Sequence, residues 1–351
     1  MNYSPLAYLA LFLFSALFVG LLTPRIRKIA IKRKIFDTPD SDHKSHKEPV
    51  PYLGGVAIII GVVGITFTAT LASNPDLIVL VAAVLLPSLF LGAIGLIDDL
   101  INLSPWPRFI AQSLVGIAVA ITLIQTNTVG SPTGSRALDI AITVLFIVGL
   151  SNSVNFFDNV DGGASGTVAI SALFLALLSY SSGQYYIAAI SIVVAGSTLG
   201  FLKWNRSPAR IYMGDAGSLF LGSLIASLLV RFDPNPIVYP TFFFVPLFLI
   251  AIPILDTTTV VVSRIARGVS PFKGGRDHLS HRLMRLGITK VNSVLLLWGF
   301  TLLYAVFALI LSNAPYSQEP LVVIIGSAIW LIALILFLRI PAIDKELETE
   351  Q

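Results

Sequence analysis

Residues 78–109 read IVLVAAVLLPSLFLGAIGLIDDLINLSPWPRF. The run 78–97 carries no charge and has the length that an α-helix needs to cross a lipid bilayer. Asp98 and Asp99 follow it at once. This pattern predicts a membrane-spanning helix that ends at two adjacent carboxylates. Carboxylates at a membrane edge are costly unless a cation lies among them, so this helix end needs a cationic partner.

The composition places the whole chain in the membrane. Of its 351 residues, 55% are hydrophobic and only 12% are charged, about half the charge of a soluble domain. We predict an all-α integral membrane protein, residues 1–351 forming a single polytopic domain with about eleven transmembrane helices. The apolar runs lie near 5–22, 53–72, 78–97, 109–125, 137–150, 164–182, 185–201, 216–231, 238–262, 291–312 and 320–339. The chain has no cysteine, which excludes disulfides, thiol nucleophiles and iron–sulfur clusters.

The distribution of positive charge predicts the orientation. Of the 23 Lys and Arg, all but Arg136 and Arg231 fall in the N-terminal loop, in alternate breaks between the apolar runs, or in the C-terminal tail. Positive charge stays on the cytoplasmic side. The N-terminus is therefore predicted outside, the C-terminus in the cytoplasm, and the polar loops that carry the acidic motifs on the cytoplasmic face.

Two acidic motifs precede or follow predicted spans. Asp98 and Asp99 end the third span, and Arg108 opens the fourth. In SNSVNFFDNVDGGASG (151–166), an Asn or Asp recurs every three residues, which places these side chains on one face of a helix or turn; they are Asn152, Asn155, Asp158 and Asp161. The alternative is that they are ordinary turn and capping residues.

The third acidic motif is NRSPARIYMGDAGSLFLG (205–222). Asp215 would begin the eighth span, either as a helix cap or as a ligand that holds Mg²⁺ against a phosphate. The free amides of such a helix start would also suit a phosphate. Tyr212 would stack on a base or belong to the interfacial aromatic belt.

Two basic segments complete the candidate site. In SPFKGGRDHLSHRLMRLG (270–287), four basic residues are candidates for binding a diphosphate, with binding to the membrane surface as the alternative; they are Arg276, His278, His281 and Arg282. The segment 36–55 contributes Lys44 and His46 as possible contacts to an anionic substrate, with topogenic charge as the alternative.

Together these residues are of the types that phosphoryl transfer requires. Carboxylates would bind a metal, and cations would neutralise the charge that develops on the phosphates. No Walker loop accompanies them, which argues against ATP hydrolysis. The competing class is a secondary transporter or lipid flippase with the aspartates as a relay. Relays lie near the membrane midplane, whereas every candidate here is predicted at one face.

The motifs resemble those of the polyprenyl-phosphate N-acetylhexosamine-1-phosphate transferases, and the resemblance spans nearly the whole chain. The matching elements are IDD with LSPWPRF (97–99, 103–109), NSVNFFDNVDG (152–162), PARIYMGDAGS (208–218), DHLSHRL (277–283) and, more loosely, HKSH with PYLGG (43–55).

The resemblance implies an inner-membrane enzyme that transfers a sugar 1-phosphate from a UDP-sugar to undecaprenyl phosphate and releases UMP. Mg²⁺ is the implied cofactor, with Mn²⁺ as a substitute, and no nucleic acid is involved. By resemblance, Asp215 and Asp158 are metal ligands, Asp98 and Asp99 face the lipid phosphate, and Asp158 and Asp161 belong to the catalytic nucleotide region. The transfer is either direct or through a phosphoryl-enzyme.

The resemblance also implies which sugar phosphate is transferred. The spaced histidines at 278 and 281 are similar to the branch that begins O-antigen or teichoic acid with GlcNAc-1-phosphate. The alternative is a phospho-MurNAc-pentapeptide transferase of peptidoglycan synthesis, in which the histidines are contiguous. Ser280 stands where a further histidine is common. A homodimer is compatible with the resemblance.

Overall fold

A computed structural model describes residues 4–37, 49–125, 133–233, 240–271 and 274–342. Within these ranges the chain forms thirteen α-helices and a two-stranded antiparallel sheet. The helices are α1 (Pro5–Lys32), α2 (Gly54–Ser73), α3 (Ile78–Ile101), α4 (Pro105–Gln125), α5 (Arg136–Phe157), α6 (Gly163–Ser181), α7 (Tyr185–Asn205), α8 (Gly214–Arg231), α9 (Phe244–Leu249), α10 (Ala251–Ala266), α11 (Leu279–Arg285), α12 (Lys290–Asn313) and α13 (Glu319–Arg339). Strands β1 (Phe36–Asp37) and β2 (Val50–Pro51) pair with Phe36 opposite Pro51.

Ten helices in the described part of the chain are long and apolar enough to cross a membrane. The all-helical architecture expected from composition is therefore confirmed, and the ten candidate spans are consistent with an integral membrane protein. The predicted ninth span, 238–262, is interrupted at Ile250, which separates α9 from α10. Pro253 lies in the first turn of α10, where its missing amide hydrogen leaves no helical bond unmade, so it favours a new helix start there.

Helix α5 is longer than the apolar run that predicted it. The run was placed at 137–150, but the helix continues to Phe157. Leu150, Val154 and Phe157 are all buried and lie at helical spacing on one face, so packing extends the helix through its polar end. The asparagines at 152 and 155 therefore project from the last turns of a rigid helix.

Helix α8 is the most enclosed element of the bundle. All of its residues except Asp215 and Val230 are buried, and it packs against α2, α3 and α5. At Gly95 on α3, a Cβ would overlap the Asp215 carbonyl, so this glycine allows the ends of α3 and α8 to meet. The close approach brings the acidic end of α3 to the acidic start of α8.

The outer surface is apolar, as a lipid-facing surface requires. Leu6, Val79 and Leu145 are each more than 70% exposed, at 71%, 76% and 71%. Side chains of this kind are stable in contact with hydrocarbon rather than with water. They identify α1, α3 and α5 as helices with lipid-facing sides.

Candidate active site

A cavity of about 240 Å³ opens where α3 and α5 end and α8 begins. We call it the carboxylate cavity. Seven residues singled out from the sequence line it: Asp99, Asn155, Asp158, Asp161, Tyr212, Asp215 and His281. The structure thus brings together motifs that are separated by more than a hundred residues in the chain.

Asp215 has both carboxylate oxygens engaged. Asn155 donates from Nδ2 to its Oδ1 at 2.7 Å, and Arg108 donates from Nη1 to its Oδ2 at 2.6 Å. The same Arg108 nitrogen donates to Asp98 Oδ2 at 2.5 Å, and Leu103 N donates to Asp98 Oδ1 at 2.6 Å. Arg108 is therefore the cation that bridges the carboxylates at the end of α3 and the start of α8.

Asp99 lines the carboxylate cavity and also caps the start of α8. Its carboxylate accepts the backbone amides of Asp215 at 2.8 Å and Ala216 at 3.0 Å. Gly214 has a φ of +74°, a conformation that favours glycine, and a Cβ there would contact the Asp99 carboxylate. The α8 amides that we expected to be free for a phosphate are thus capped by Asp99.

Asp158 lies among these carboxylates without a partner of its own. The described residues offer its carboxyl group no hydrogen bond or ion pair. Burial, followed by the charges of Asp215, Asp99 and Asp161, raises the pKa of the Asp158 carboxyl well above its usual value. A cation bound in the cavity would relieve this repulsion.

The donor set fits Mg²⁺. Carboxylate oxygens are the preferred ligands of Mg²⁺, which is held by one or two carboxylates together with substrate phosphates and water. In the described ranges no three His, Cys, Asp or Glu side chains form a complete protein ligand set. Asp158 and Asp215 both line the carboxylate cavity and would together supply the two carboxylates that a phosphate-bound Mg²⁺ requires.

Asp161 is held in an ion pair that the sequence did not reveal. Lys290, the first residue of α12, lies 2.8 Å from its Oδ2, and the amide of Ala209 donates to the same oxygen at 3.1 Å. The buried Asn205 side chain accepts from Gly162 N at 3.1 Å and donates to Ile211 O at 3.2 Å. These contacts hold the loops after α5 and α7 against each other.

Two tyrosines form an aromatic wall of the cavity. The rings of Tyr52 and Tyr212 have centroids 6.3 Å apart. Burial and then the charge of Asp37 raise the pKa of the Tyr52 hydroxyl, and burial and then the charge of Asp161 raise that of Tyr212. Both rings remain uncharged at neutral pH and can stack on a planar base. Tyr52 and Asp37 were not predicted as site residues.

The histidine segment is held by two buried aspartates, Asp256 and Asp277. His278 Nδ1 lies 2.7 Å from Asp256 Oδ2, and Leu279 N donates to Asp256 Oδ1 at 2.7 Å. Asp256 is fully buried on α10. Burial raises the pKa of the nearby Asp277 carboxyl, but the bound Arg264 guanidinium and then further cations bring it below its usual value. Asp256 therefore fixes the orientation of the His278 ring.

The sequence model of glycosyl transferase family 4 matches residues 81–233, the part of the chain that carries all three acidic motifs. A probable undecaprenyl-phosphate N-acetylglucosaminyl 1-phosphate transferase of Bacillus subtilis (strain 168) is 33% identical over 336 residues, which are 94% of this chain and 90% of that protein. This chain belongs to glycosyl transferase family 4.

Two further relatives differ in the extent of the match. An undecaprenyl-phosphate alpha-N-acetylglucosaminyl 1-phosphate transferase of Yersinia pestis is 27% identical, covering 95% of this chain and 89% of its own length. A phospho-N-acetylmuramoyl-pentapeptide-transferase of Bacillus subtilis (strain 168) is 32% identical over 238 residues, 62% of this chain and 72% of its own length.

Two predicted substrate contacts of this family 4 member, Arg282 and Asn152, are engaged elsewhere. Arg282 is 1% exposed, and its Nη1 donates to the carbonyls at the end of α13, Phe337 at 2.9 Å and Ile340 at 2.6 Å. Asn152 donates from Nδ2 to Gln112 Oε1 at 2.6 Å. The structure thus places Arg282 as a helix cap and Asn152 as a link from α5 to α4, not at the cavity wall.

None of the three remaining basic candidates, Arg276, Lys44 and His46, is found in the described wall of the carboxylate cavity. Arg276 is not part of the cavity wall, although its charge acts on His281. Arg285 Nη2 donates to the Arg276 carbonyl at 2.7 Å. Lys44 and His46 lie outside the described residues.

His281 is a neutral group in the cavity of this family 4 member. Burial and then the charges of His278, Arg285, Arg276 and Lys290 lower the pKa of its imidazole to about 3. An unfolded histidine titrates near 6.5. Its stabilisation of the fold is therefore complete above pH 6.5 and is lost as the pH falls toward 3.

We expect His281→Gln to weaken this pH dependence. At pH 5 the wild-type imidazole should cost about 2 kcal/mol of folding stability relative to pH 8, because the unfolded state binds the proton more tightly. The thermal midpoints of both proteins in detergent at pH 8 and pH 5 measure it. The wild type should lose more stability than the variant, and an equal loss would contradict the assigned titration.

Proposed function

We propose that this protein transfers N-acetylhexosamine-1-phosphate, namely GlcNAc-1-phosphate, from a UDP-sugar to undecaprenyl phosphate and releases UMP. A lipid phosphate oxygen bonds to the β-phosphorus, and the bond from that phosphorus to the oxygen bridging it to the α-phosphorus breaks. The observation that carries this proposal is the arrangement in which Arg108 bridges Asp98 and Asp215 beside the unpartnered Asp158. The product would begin synthesis of a cell-envelope glycan.

The carboxylate cavity supplies the groups for this reaction. Asp158 and Asp215 are proposed to hold Mg²⁺, for which Mn²⁺ would substitute. When bound, the ion would neutralise charge that develops on the diphosphate oxygens. Asn155 keeps Asp215 in position through its 2.7 Å hydrogen bond.

Arg108 and Asp98 are proposed to receive the lipid phosphate. Arg108 presents further guanidinium donors suited to a phosphate. Asp98 Oδ2 lies 2.5 Å from Arg108 Nη1, and Asp98 would accept a proton from a phosphate bound there. A phosphate monoester has its second pKa near 6, so at neutral pH little proton transfer is required. Asp99 acts through its cap on α8 and is therefore a positioning residue.

The nucleotide and the sugar are assigned to the other walls. Tyr52 and Tyr212 would stack on uracil, and Asp161, held by Lys290, would lie at the nucleotide end. Neutral His281 would hydrogen-bond the sugar or the diphosphate without adding charge. His278 would orient this segment through Asp256.

We further place the protein in the plasma membrane with the carboxylate cavity in the cytoplasm. The positive charge concentrated in alternate loops supports this orientation. If the interrupted α9–α10 segment is counted as one crossing with the ten uninterrupted helices, the number of crossings is odd. An odd number puts the two termini on opposite sides of the membrane, and the distribution of positive charge then assigns the N-terminus to the outside and the C-terminus to the cytoplasm. A homodimer is compatible with this arrangement.

UMP release tests the proposal. The purified protein is incubated with undecaprenyl phosphate, Mg²⁺ and a panel of UDP-sugars that includes UDP-GlcNAc and UDP-MurNAc-pentapeptide. We expect UMP with UDP-GlcNAc and its loss on adding EDTA. UMP only with the MurNAc-pentapeptide donor would assign the protein to peptidoglycan synthesis. No UMP with any donor, together with substrate transport in proteoliposomes, would replace the enzyme with a transporter.

Asp256→Asn is expected to lower UMP release about tenfold, the lower end of the effect that carboxylates have when they orient metal-binding histidines, because Asp256 orients the His278 ring in the same way. If Asp256 acts through His278, the double variant with His278→Gln should be no slower than the slower single variant. Rates of the four proteins at saturating substrate measure this coupling. Losses that multiply in the double variant would mean that Asp256 acts independently of the His278 ring.

A further inference from the structure

A second cavity, of about 500 Å³, lies between the end of α7 and the first turns of α12. We call it the basic cavity. Its wall is divided into a charged and an apolar side. The basic residues are Lys203, Arg206 and Arg210, and the apolar residues on α12 are Val291, Val294, Leu295 and Trp298.

The positive charge of the basic cavity is not compensated within the described part of the protein. Lys203, Arg206 and Arg210 are exposed, and their side chains form no ion pair with any residue that the structure describes. The one acidic residue in the wall, Asp161, is already paired with Lys290 at 2.8 Å. The cavity is therefore electrostatically suited to an anion.

Trp204 organises two of these cations. The Lys203 ammonium lies 6.0 Å and the Arg210 guanidinium 5.7 Å from the centroid of its ring. Cation–π contacts of this length are weak at exposed sites, so they orient the charges without neutralising them. Trp204 Nε1 donates to Gly20 O at 2.8 Å, which fixes the ring.

The apolar side of the cavity continues into the membrane. Val291, Val294, Leu295 and Trp298 follow helical spacing and share one face of α12, a helix long enough to cross the bilayer. Val291 is 49% and Leu295 52% exposed. A soluble anion would contact only the cationic side, whereas an amphiphile would also cover this apolar stripe.

We propose that the basic cavity binds an acidic membrane phospholipid. Its headgroup phosphate lies among Lys203, Arg206 and Arg210, and an acyl chain lies along α12. Basic pockets between transmembrane helices on the positive side of a protein recognise anionic headgroups in this way. The cavity adjoins the carboxylate cavity at Asp161, but Asp98, Arg108 and Asp215 are not in its wall. The proposal does not depend on the proposed reaction.

Quenching of tryptophan fluorescence by brominated lipids tests it in the full chain. The chain has four tryptophans, so Trp106→Phe with Trp330→Phe leaves Trp204 and Trp298, both in the cavity wall. The protein is placed in phosphatidylcholine vesicles that contain either brominated phosphatidylglycerol or brominated phosphatidylcholine. Brominated phosphatidylglycerol should reach half-maximal quenching at a mole fraction at least about tenfold lower.

Charge variants identify the binding residues. Each removed cation should raise the mole fraction for half-maximal quenching by phosphatidylglycerol about fivefold. Arg206→Gln removes one cation and should show one fivefold change. The triple variant that adds Lys203→Gln and Arg210→Gln should abolish the preference for phosphatidylglycerol over phosphatidylcholine. The matched control removes three exposed cations at the end of α1 and directly after it, Lys28, Lys32 and Arg33, and should leave the preference unchanged.

Four results would overturn the proposal. They are equal quenching by the two brominated lipids, an equal loss in the cavity and control variants, displacement of the lipid by millimolar inorganic phosphate, and displacement by equimolar undecaprenyl phosphate. The first two would indicate general attraction to the membrane. The last two would assign the cavity to a free phosphate or to the acceptor lipid.

Discussion

Asp215→Asn is expected to lower the rate of UMP release by about a thousandfold, the scale of removing a preorganised charge from a phosphoryl-transfer site. The substitution keeps the shape of the side chain but leaves one acceptor oxygen, so it can accept from Arg108 or from Asn155 but not from both. It removes one of the two carboxylates proposed to hold Mg²⁺. Raising the Mg²⁺ concentration should restore only a small part of the rate, as measured by single-turnover UMP release.

Asp76→Asn is the matched control for this experiment. Asp76 is exposed and lies just before the start of α3, at the opposite end of that helix from Asp98 and Asp99. Its variant should keep the wild-type rate. If Asp215→Asn retained near-normal turnover with an unchanged thermal midpoint, Asp215 would not be an essential metal ligand.

Arg108→Gln is expected to lower the turnover number about a hundredfold, comparable to loss of one donor to a developing charge. The variant leaves Asp98 and Asp215 without the cation that bridges them. Arg108→Lys should recover part of the loss, because lysine keeps the charge but lacks the planar set of donors. Steady-state rates over a range of undecaprenyl phosphate concentrations separate the effect on turnover from that on KM.

The control for Arg108 is Arg136→Gln. Arg136 is exposed and begins α5, at the opposite end of that helix from Asn155, and its variant should be unaffected. A loss confined to the KM of the donor sugar, with turnover unchanged, would contradict the placement of Arg108 at the reacting phosphates.

The membrane class and the position of the acidic motifs could be predicted from the sequence. Long uncharged runs and breaks rich in Asp and Asn are local signals, and carboxylates that end membrane helices must meet a cation. Local signals did not specify which group each carboxylate contacts. Asp99 caps α8 rather than leaving its amides free, because the approach of α3 to α8 at Gly95 is a tertiary contact that spacing does not encode.

Asp256 shows a signal that the sequence carried and that was missed. It is the only charged residue in the apolar run 238–262, and an ionisable residue inside a membrane run is by itself a functional candidate. Its partner His278 lies in a distant loop. The contacts of Lys290 and Arg282 could not be predicted in this way. Lys290 pairs with Asp161 and Arg282 binds the carbonyls at the end of α13, and both contacts depend on how the helices pack.

The central claim is that a sugar phosphate, not the sugar alone, moves to the lipid. The most direct test uses UDP-GlcNAc labelled with ³²P at the β-phosphorus, followed by extraction of the lipid. Transfer of GlcNAc-1-phosphate predicts that the label enters the undecaprenyl lipid fraction in step with unlabelled UMP release. Label that remains in water as UDP, while the sugar enters the lipid, would contradict the account.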